Sequence, residues 1–400
     1  MHVFVNALAA SAGGGLTYIR HVIPELAGRP DLRLTVALSP DLRNEFQSFP
    51  NIQFVESRVP AARRFWREQV SLPGVIGRCR ADFLLSAGNF ALRKSPVPQI
   101  LLSRNSLYTS ADFYRDLLIR REYRMWLDTH LRGVLAARSV AWADITVAPS
   151  EAFAADLRRW TGEGERIVAI HHGFDREAFT SDETPLEDEA QQKLRAAEGA
   201  VKLLFVSHYN YYRNFEILIR ALPYIRKRLA GREVKLLLTC KLAAGANPGA
   251  YRPETAAQLV RDLGVSEMVV ELGTIPYRQL HRLYRFADVY VTPAYTETFA
   301  HPLVEAMSSG LPVVASDLPV HREICGDAAL YFSRFSAKQL ADRVVEVAES
   351  PDAASRLSQQ GQARSSAFSW RKHVDELLLL ARTLAADRAG PVSVEDPARG

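Results

Sequence analysis

Short apolar runs alternate with amphipathic stretches along the 400 residues, the pattern expected of doubly wound α/β domains. Val3 to Val5, Leu34 to Leu38, Phe83 to Leu85, Ile100 to Leu102, Ile145 to Val147 and Ile167 to Ile170 read as strands of a first sheet. Val201 to Val206, Val234 to Thr239, Met268 to Glu271, Val289 to Thr292 and Val313 to Ser316 read as strands of a second. Residues 174–200 are acidic and short of large apolar side chains, so they are expected to link a domain over 1–173 to one over 201–369. This length exceeds what one core usually organises, and an apolar content of 48% lets two cores be well packed. No internal repeat is visible, and the final stretch RAGPVSVEDPARG reads as a frayed tail.

Charge narrows the partners. Lys plus Arg number 50 against 45 for Asp plus Glu, a net +5 that is spread along the chain, so no nucleic-acid role is demanded. The surplus favours anionic small molecules or an anionic membrane. Arg63 to Arg67, and Tyr114 to Trp126 with Arg115, Arg120, Arg121 and Arg124, combine basic and aromatic residues. Such helices either rest on anionic lipid or are solvated helices whose aromatics face the core. Cys79, Cys240 and Cys325 fit no metal or redox spacing, which points to a reducing compartment. No run approaches the roughly 20 apolar residues of a membrane span, and the start lacks a signal-peptide pattern. A cytoplasmic protein is expected, with contact to the inner face of the cell membrane as the extension if those basic helices bind lipid.

The candidate chemistry is densest at Glu297 to Met307, where two glutamates eight residues apart flank a helix start. Thr and Pro cluster up to Pro302, which suits a first helical position. Amides around Phe299, Ala300, His301 and Leu303 would then face an anion such as a diphosphate. Glu305 lies about one turn into that helix and Glu297 in the loop before it, so the two carboxylates reach opposite ends of one ligand. Gly310-Leu311-Pro312 stops the helix.

These residues resemble the retaining glycosyltransferases of family 4, whose signature is Glu-x7-Glu followed by Glu-Ala-Met, a Gly-Pro-Val-Val turn and Gly-Asp-Ala-Ala. Here they stand as Glu297, Glu305-Ala306-Met307, Gly310 to Val314 and Gly326 to Ala329. The resemblance implies the α/β GT-B architecture, two Rossmann-like doubly wound domains facing a central cleft, with donor bound mainly in the C-terminal domain and acceptor in the N-terminal one. It also implies that the last helix, about 370–390, packs back onto the first domain.

Other segments fit the same resemblance. Asn6 to Tyr18 runs from a strand through Gly13-Gly14-Gly15 into a helix expected to begin near Thr17. Tyr18 stands where a nicotinamide fingerprint needs its third glycine, so that reading fails on spacing. In the family this loop meets the donor diphosphate. Asn105 matches a polar residue near the transferred sugar; its other reading is a polar loop that caps the next element. Arg213 takes the position of the family's diphosphate-binding lysine, followed by Asn214 as an N-cap, and His208 stands where the family generally has arginine. Thr274 and Ile275 lie in the stretch that looks like the nucleotide-base loop, and His171 to Asp175 resembles the hinge signature.

Neighbouring His171 and His172 would point to opposite faces of a strand, and the chain contains no Asp-x-Asp, so metal-independent chemistry without a cofactor is expected. The resemblance thus implies a hexosyltransferase with front-face substitution, taking a sugar from a nucleoside-diphosphate donor to a glycan, lipid-linked or small-molecule acceptor in polysaccharide or glycoconjugate biosynthesis. Glu297, Asn105 and Arg213 would carry catalysis. Gly13, Gly14, Gly15, His208, Arg213, Thr274, Ile275, Phe299, Ala300, His301, Leu303 and Glu305 would hold the donor. A sugar-nucleotide epimerase and a non-catalytic sugar-nucleotide-binding protein stay open as alternatives.

Overall fold

The computed structural model describes residues 1–10, 13–58, 61–246 and 251–389. Ser11 and Ala12 of the glycine segment, and 390–400 of the expected tail, lie outside the described residues. The chain divides into two compact units, one of Met1–Thr109, Leu127–Gly173 and Trp370 onward, the other of Ser110–Trp126 and Phe174–Ser369.

The first unit is built on seven parallel strands: β1 His2–Asn6, β2 Arg33–Leu38, β3 Ile52–Glu56, β4 Phe83–Ser86, β5 Gln99–Leu102, β6 Ile145–Ala148 and β7 Ile167–Ala169, in the order β3-β2-β1-β4-β5-β6-β7. Phe4 pairs with Leu84 and Val5 with Leu85. Because side chains alternate along a strand, Phe4, Leu84 and Leu101 share one face while Val5, Leu85 and Ile100 share the other. Leu72 and Ile76 of helix Ala61–Cys79 cover the first face beside Phe4 and Leu84, and Val140 of helix Tyr123–Trp142 covers it beside Leu101 and Ala148. Helices Gly13–Ala27 and Trp370–Ala389 cover the second face, the latter through Trp370, Val374, Leu377 and Ala381. That final helix is pinned by His373, whose Nδ1 lies 2.8 Å from the His171 carbonyl and whose Nε2 lies 2.9 Å from the Tyr18 hydroxyl. Burial pushes the His373 imidazole down to about 4, so it packs as a neutral ring.

The second unit carries six parallel strands: β8 Val201–Phe205, β9 Val234–Leu238, β10 Val269–Glu271, β11 Val289–Thr292, β12 Val313–Ser316 and β13 Ala329–Phe332, in the order β10-β9-β8-β11-β12-β13. Helix Phe215–Arg228 buries Phe215, Leu218, Ile219, Leu222 and Ile225, the apolar stripe expected from its 3.6-residue period. Gly310 adopts φ +74°, and a Cβ there would lie 2.7 Å from the Gln362 amide nitrogen, so glycine closes this helix end for two reasons.

Three expectations change. Residues 174–200 are not an open linker: they carry helices Arg176–Thr180 and Asp188–Arg195 and belong to the second unit, with Phe179 buried beside Phe174, Tyr277 and Tyr284. Asp175 caps the first of these, its carboxylate accepting from the Ala178 amide at 2.9 Å. Secondly, Ser110–Trp126 leaves the first domain for the second unit, held there by Arg120 against Glu216 at 3.0 Å and by Glu122, which accepts from the Tyr211 and Tyr251 hydroxyls at 3.0 and 2.9 Å. Thirdly, the triglycine is not a loop, because the helix starts at Gly13. Its first turn makes few intrahelical bonds through its amides, so glycine costs less there than in a helix interior.

Candidate functional site

In each sheet the strand order reverses once, between β1 and β4 in the first and between β8 and β11 in the second. Ligands of open α/β sheets gather at the carboxyl ends of strands where the order reverses, because the neighbouring loops diverge and leave a crevice.

Arg213 and Glu297 meet at the reversal of the second sheet. Arg213 ends the 3₁₀ turn Tyr211–Arg213 after β8, Glu297 lies in the loop after β11, and the two form an ion pair. The Arg213 guanidinium lies 4.9 Å from the Tyr212 ring centroid, and its buried Nε has no hydrogen-bond partner among the described residues. Asn214 follows in the left-handed conformation, φ +57°. It makes no side-chain cap, contrary to expectation; its Nδ2 instead donates to the carbonyls of Pro293 at 3.0 Å and Arg334 at 2.7 Å. One amide thus ties the loops after β8, β11 and β13 together, which positions its neighbour Arg213.

Glu305 sits in helix His301–Ser308, is 3% exposed and accepts a 2.7 Å hydrogen bond from the Tyr284 hydroxyl. Burial pushes its carboxyl up to about 7, against the lowering effect of the tyrosine bond. The Leu303 amide donates to the Ala300 carbonyl at 2.9 Å, so it is not one of the anion donors expected at this helix start. Phe299 is buried against His301 and Phe368, ring centroids 4.8 and 5.4 Å apart, which leaves its backbone rather than its ring for a ligand. Ala300 takes φ +64°, a left-handed conformation that favours glycine, at the position where the family resemblance has glycine.

His208 is exposed in the loop after β8. Its pKa is lowered, first by desolvation from the surrounding protein and then by the Arg213 charge, so the ring is neutral near pH 7. Thr274 is exposed and Ile275 half-buried in the loop after β10, where Gly273 takes φ +81°.

At the reversal of the first sheet, Arg104 ties the surrounding loops. It donates to the carbonyls of Gly14 at 2.8 Å and Ala87 at 2.5 Å, and its guanidinium lies 4.8 Å from the Tyr18 ring centroid. A Cβ on Gly15 would stand 3.6 Å from both Ala10 and this guanidinium. Neither close approach nor positive φ demands glycine at 14 or 15: a Cβ on Gly14 would meet nothing within 4 Å, and the contacts at Gly15 are ordinary van der Waals distances. Asn105 accepts from the Leu107 amide at 3.1 Å, the capping role that was its alternative reading.

Sequence reasoning missed Tyr284, whose spacing from Glu305 forms no motif, and the set of Asp116, Arg120 and Glu216, brought together from distant parts of the chain. Tyr295 donates to Asp116 at 2.9 Å and Tyr209 to Glu216 at 2.7 Å, so this set braces the loops on either side of Arg213 and Glu297. Among the described residues, no group of three or more His, Cys, Asp or Glu side chains could hold a metal ion. Nor is any described helix long and apolar enough to cross a membrane.

These two sheets, with their helices and reversals, define the GT-B fold. Residues 187–364, all within the second unit, match the family model described as glycosyl transferases group 1. The chain is 27% identical over 254 residues to a D-inositol 3-phosphate glycosyltransferase of Corynebacterium aurimucosum, the match covering 62% of this chain and 59% of that protein. It is 30% identical over 256 residues to the enzyme of the same name from Mycolicibacterium smegmatis, covering 62% and 55%. The chain thus spans a little over half the length of the curated relatives it matches. Among solved structures it resembles sucrose-phosphate synthase of Thermosynechococcus elongatus, with TM-score 0.75, 18% identity, and 97% and 100% of the two chains covered. Anabaena Alr3699/HepE in complex with UDP-glucose gives TM-score 0.70 and 16% identity over 96% and 100%.

Proposed function

We propose that this protein is a retaining, metal-independent glycosyltransferase of family 4 that moves a sugar from a nucleoside-diphosphate donor to a hydroxyl of a glycan, lipid-linked or small-molecule acceptor. The observation that carries this reading is the Arg213–Glu297 pair at the β8/β11 reversal, inside the segment matching group 1 glycosyl transferases. The D-inositol 3-phosphate glycosyltransferases support it, as does the UDP-glucose bound to the Anabaena relative.

In this reading Arg213 faces the diphosphate, where negative charge grows as the sugar leaves, and its unpartnered Nε is a further donor. Glu297, paired to the same guanidinium, accepts from sugar hydroxyls beside the anomeric carbon. The anomeric C–O bond to phosphate breaks as the acceptor oxygen bonds to the same face of that carbon. The acceptor's proton passes to the departing phosphate oxygen, so no side chain need be the base. Glu305 accepts from the ribose, Thr274 and Ile275 border the base, and the backbone at Phe299 to His301 faces the phosphates. The work belongs to polysaccharide or glycoconjugate biosynthesis inside the cell, with an anionic membrane as the surface for a lipid-linked acceptor.

A panel of UDP-, GDP- and ADP-sugars screened by thermal stabilisation tests the donor assignment. Saturation at about 100 times the dissociation constant adds about 2.7 kcal/mol. The matching donor should raise the unfolding midpoint in the presence of EDTA, and turnover should give a product of unchanged anomeric configuration by NMR. A donor response that appears only with manganese, or an inverted product, contradicts the reading.

A further inference from the structure

Helix Tyr123–Trp142 is turned inside out relative to an ordinary surface helix. Its buried positions are Thr129, Gly133, Ala136, Ser139 and Val140, mostly small, while Leu127, Leu131 and Val134 are 52%, 60% and 42% exposed. Those three stand at the i, i+4, i+7 spacing of one helix face. Helix Ala61–Cys79 repeats the feature with Trp66 and Val70, 71% and 80% exposed and one turn apart. Both helices cover the same face of the first sheet, so one layer of the first unit carries two exposed apolar stripes. Single exposed apolar residues are ordinary, but stripes of large ones mark an interaction surface.

Charge selects the occupant. Arg63 and Arg67 flank Trp66, and Arg138 borders the longer stripe, all three exposed. The only acids in these two helices are Glu68, which is buried, and Asp128, which is paired with Arg132 at 2.9 Å. An apolar stripe edged by unopposed arginines fits the boundary between anionic headgroups and acyl chains. A protein surface would need acidic side chains around an apolar patch of matching shape, whereas a bilayer supplies both chemistries everywhere. We propose that this layer, through Trp66, Val70, Leu127 and Leu131, docks the protein on an anionic lipid bilayer. It deepens the glycosyltransferase reading by assigning its acceptor to the lipid-linked class, although the docking does not depend on the chemistry.

The test is flotation of the full chain with vesicles of phosphatidylcholine plus phosphatidylglycerol, compared with phosphatidylcholine alone. The protein should float with the anionic vesicles at low salt, and binding should weaken as salt rises. Leu127→Glu/Leu131→Glu should lower the partition coefficient roughly tenfold or more, and Arg67→Gln/Arg138→Gln should do so on anionic vesicles. Donor-induced thermal stabilisation should be unchanged in both variants, which separates failure of docking from failure of the donor reading. No flotation on anionic vesicles overturns the proposal, as does flotation that neither variant weakens. A dimer in sedimentation that Leu127→Glu/Leu131→Glu dissolves assigns the stripe to a second copy of the chain and overturns it equally.

Discussion

The Tyr284 hydroxyl holds the carboxylate of Glu305 at 2.7 Å inside the second unit, out of solvent. That burial has a sign. An acid whose folded pKa rises from 4.5 to about 7 keeps a proton that the unfolded chain gives up across this window. Its contribution to stability is therefore fully present below about pH 4.5 and is lost as pH rises through 7, a change of roughly 3 kcal/mol. Glu305→Gln, a neutral isostere, should match wild type at pH 5 and exceed it at pH 8 in urea unfolding. Parallel pH profiles would show that the carboxyl is already ionised.

Ala300 pays a backbone strain that its position explains. An L-residue at φ +64° costs about 1 kcal/mol or more, partly offset because glycine loses more entropy on folding. Ala300→Gly should raise stability by about 0.5–1 kcal/mol in denaturant titration. A less stable variant would mean that the buried Cβ contributes more packing than the strain removes.

His208 should tune donor affinity with pH. The free imidazole titrates below 6.5, under desolvation and the Arg213 charge, and a diphosphate would favour its protonated form. The donor dissociation constant should be lowest below that lowered pKa and rise with pH up to the pKa of the complex. His208→Arg should bind more tightly near pH 7 and lose this rise, as calorimetry from pH 5 to 8 would show. Identical profiles would place His208 outside the phosphate contact.

Much of this architecture could be read from the sequence because the strands of parallel sheets are buried on both faces and stand out as apolar runs. β3 was missed since Ile52–Glu56 lies at a sheet edge with only Ile52 buried, leaving a polar-looking IQFVE. β13 was absorbed into the Gly326–Ala329 signature, which is followed directly by Leu330, Tyr331 and Phe332 of the strand. The glycines at 13–15 argued for a loop by propensity, yet a first turn anchored by Arg104 tolerates them. Helix Tyr123–Trp142 shows where periodicity is blind: it detects two faces but not which one is turned inward. At the site, the residue types and loops of Arg213, Glu297 and Glu305 were legible. Their pairing was not, because Arg213 and Glu297 are 84 positions apart and only the strand order brings them together.

In the proposed reaction Glu297 acts on the sugar as its bond to phosphate breaks. Positive character at the anomeric carbon develops only in the transition state, so loss of this charge should reduce kcat far more than donor affinity. The direct measurement is the initial rate of Glu297→Gln at saturating acceptor with donor varied. Its kcat should fall about 100-fold or more, with the donor KM within about threefold of wild type. Full turnover in Glu297→Gln would contradict it, leaving the Arg213–Glu297 pair a structural contact of the second unit.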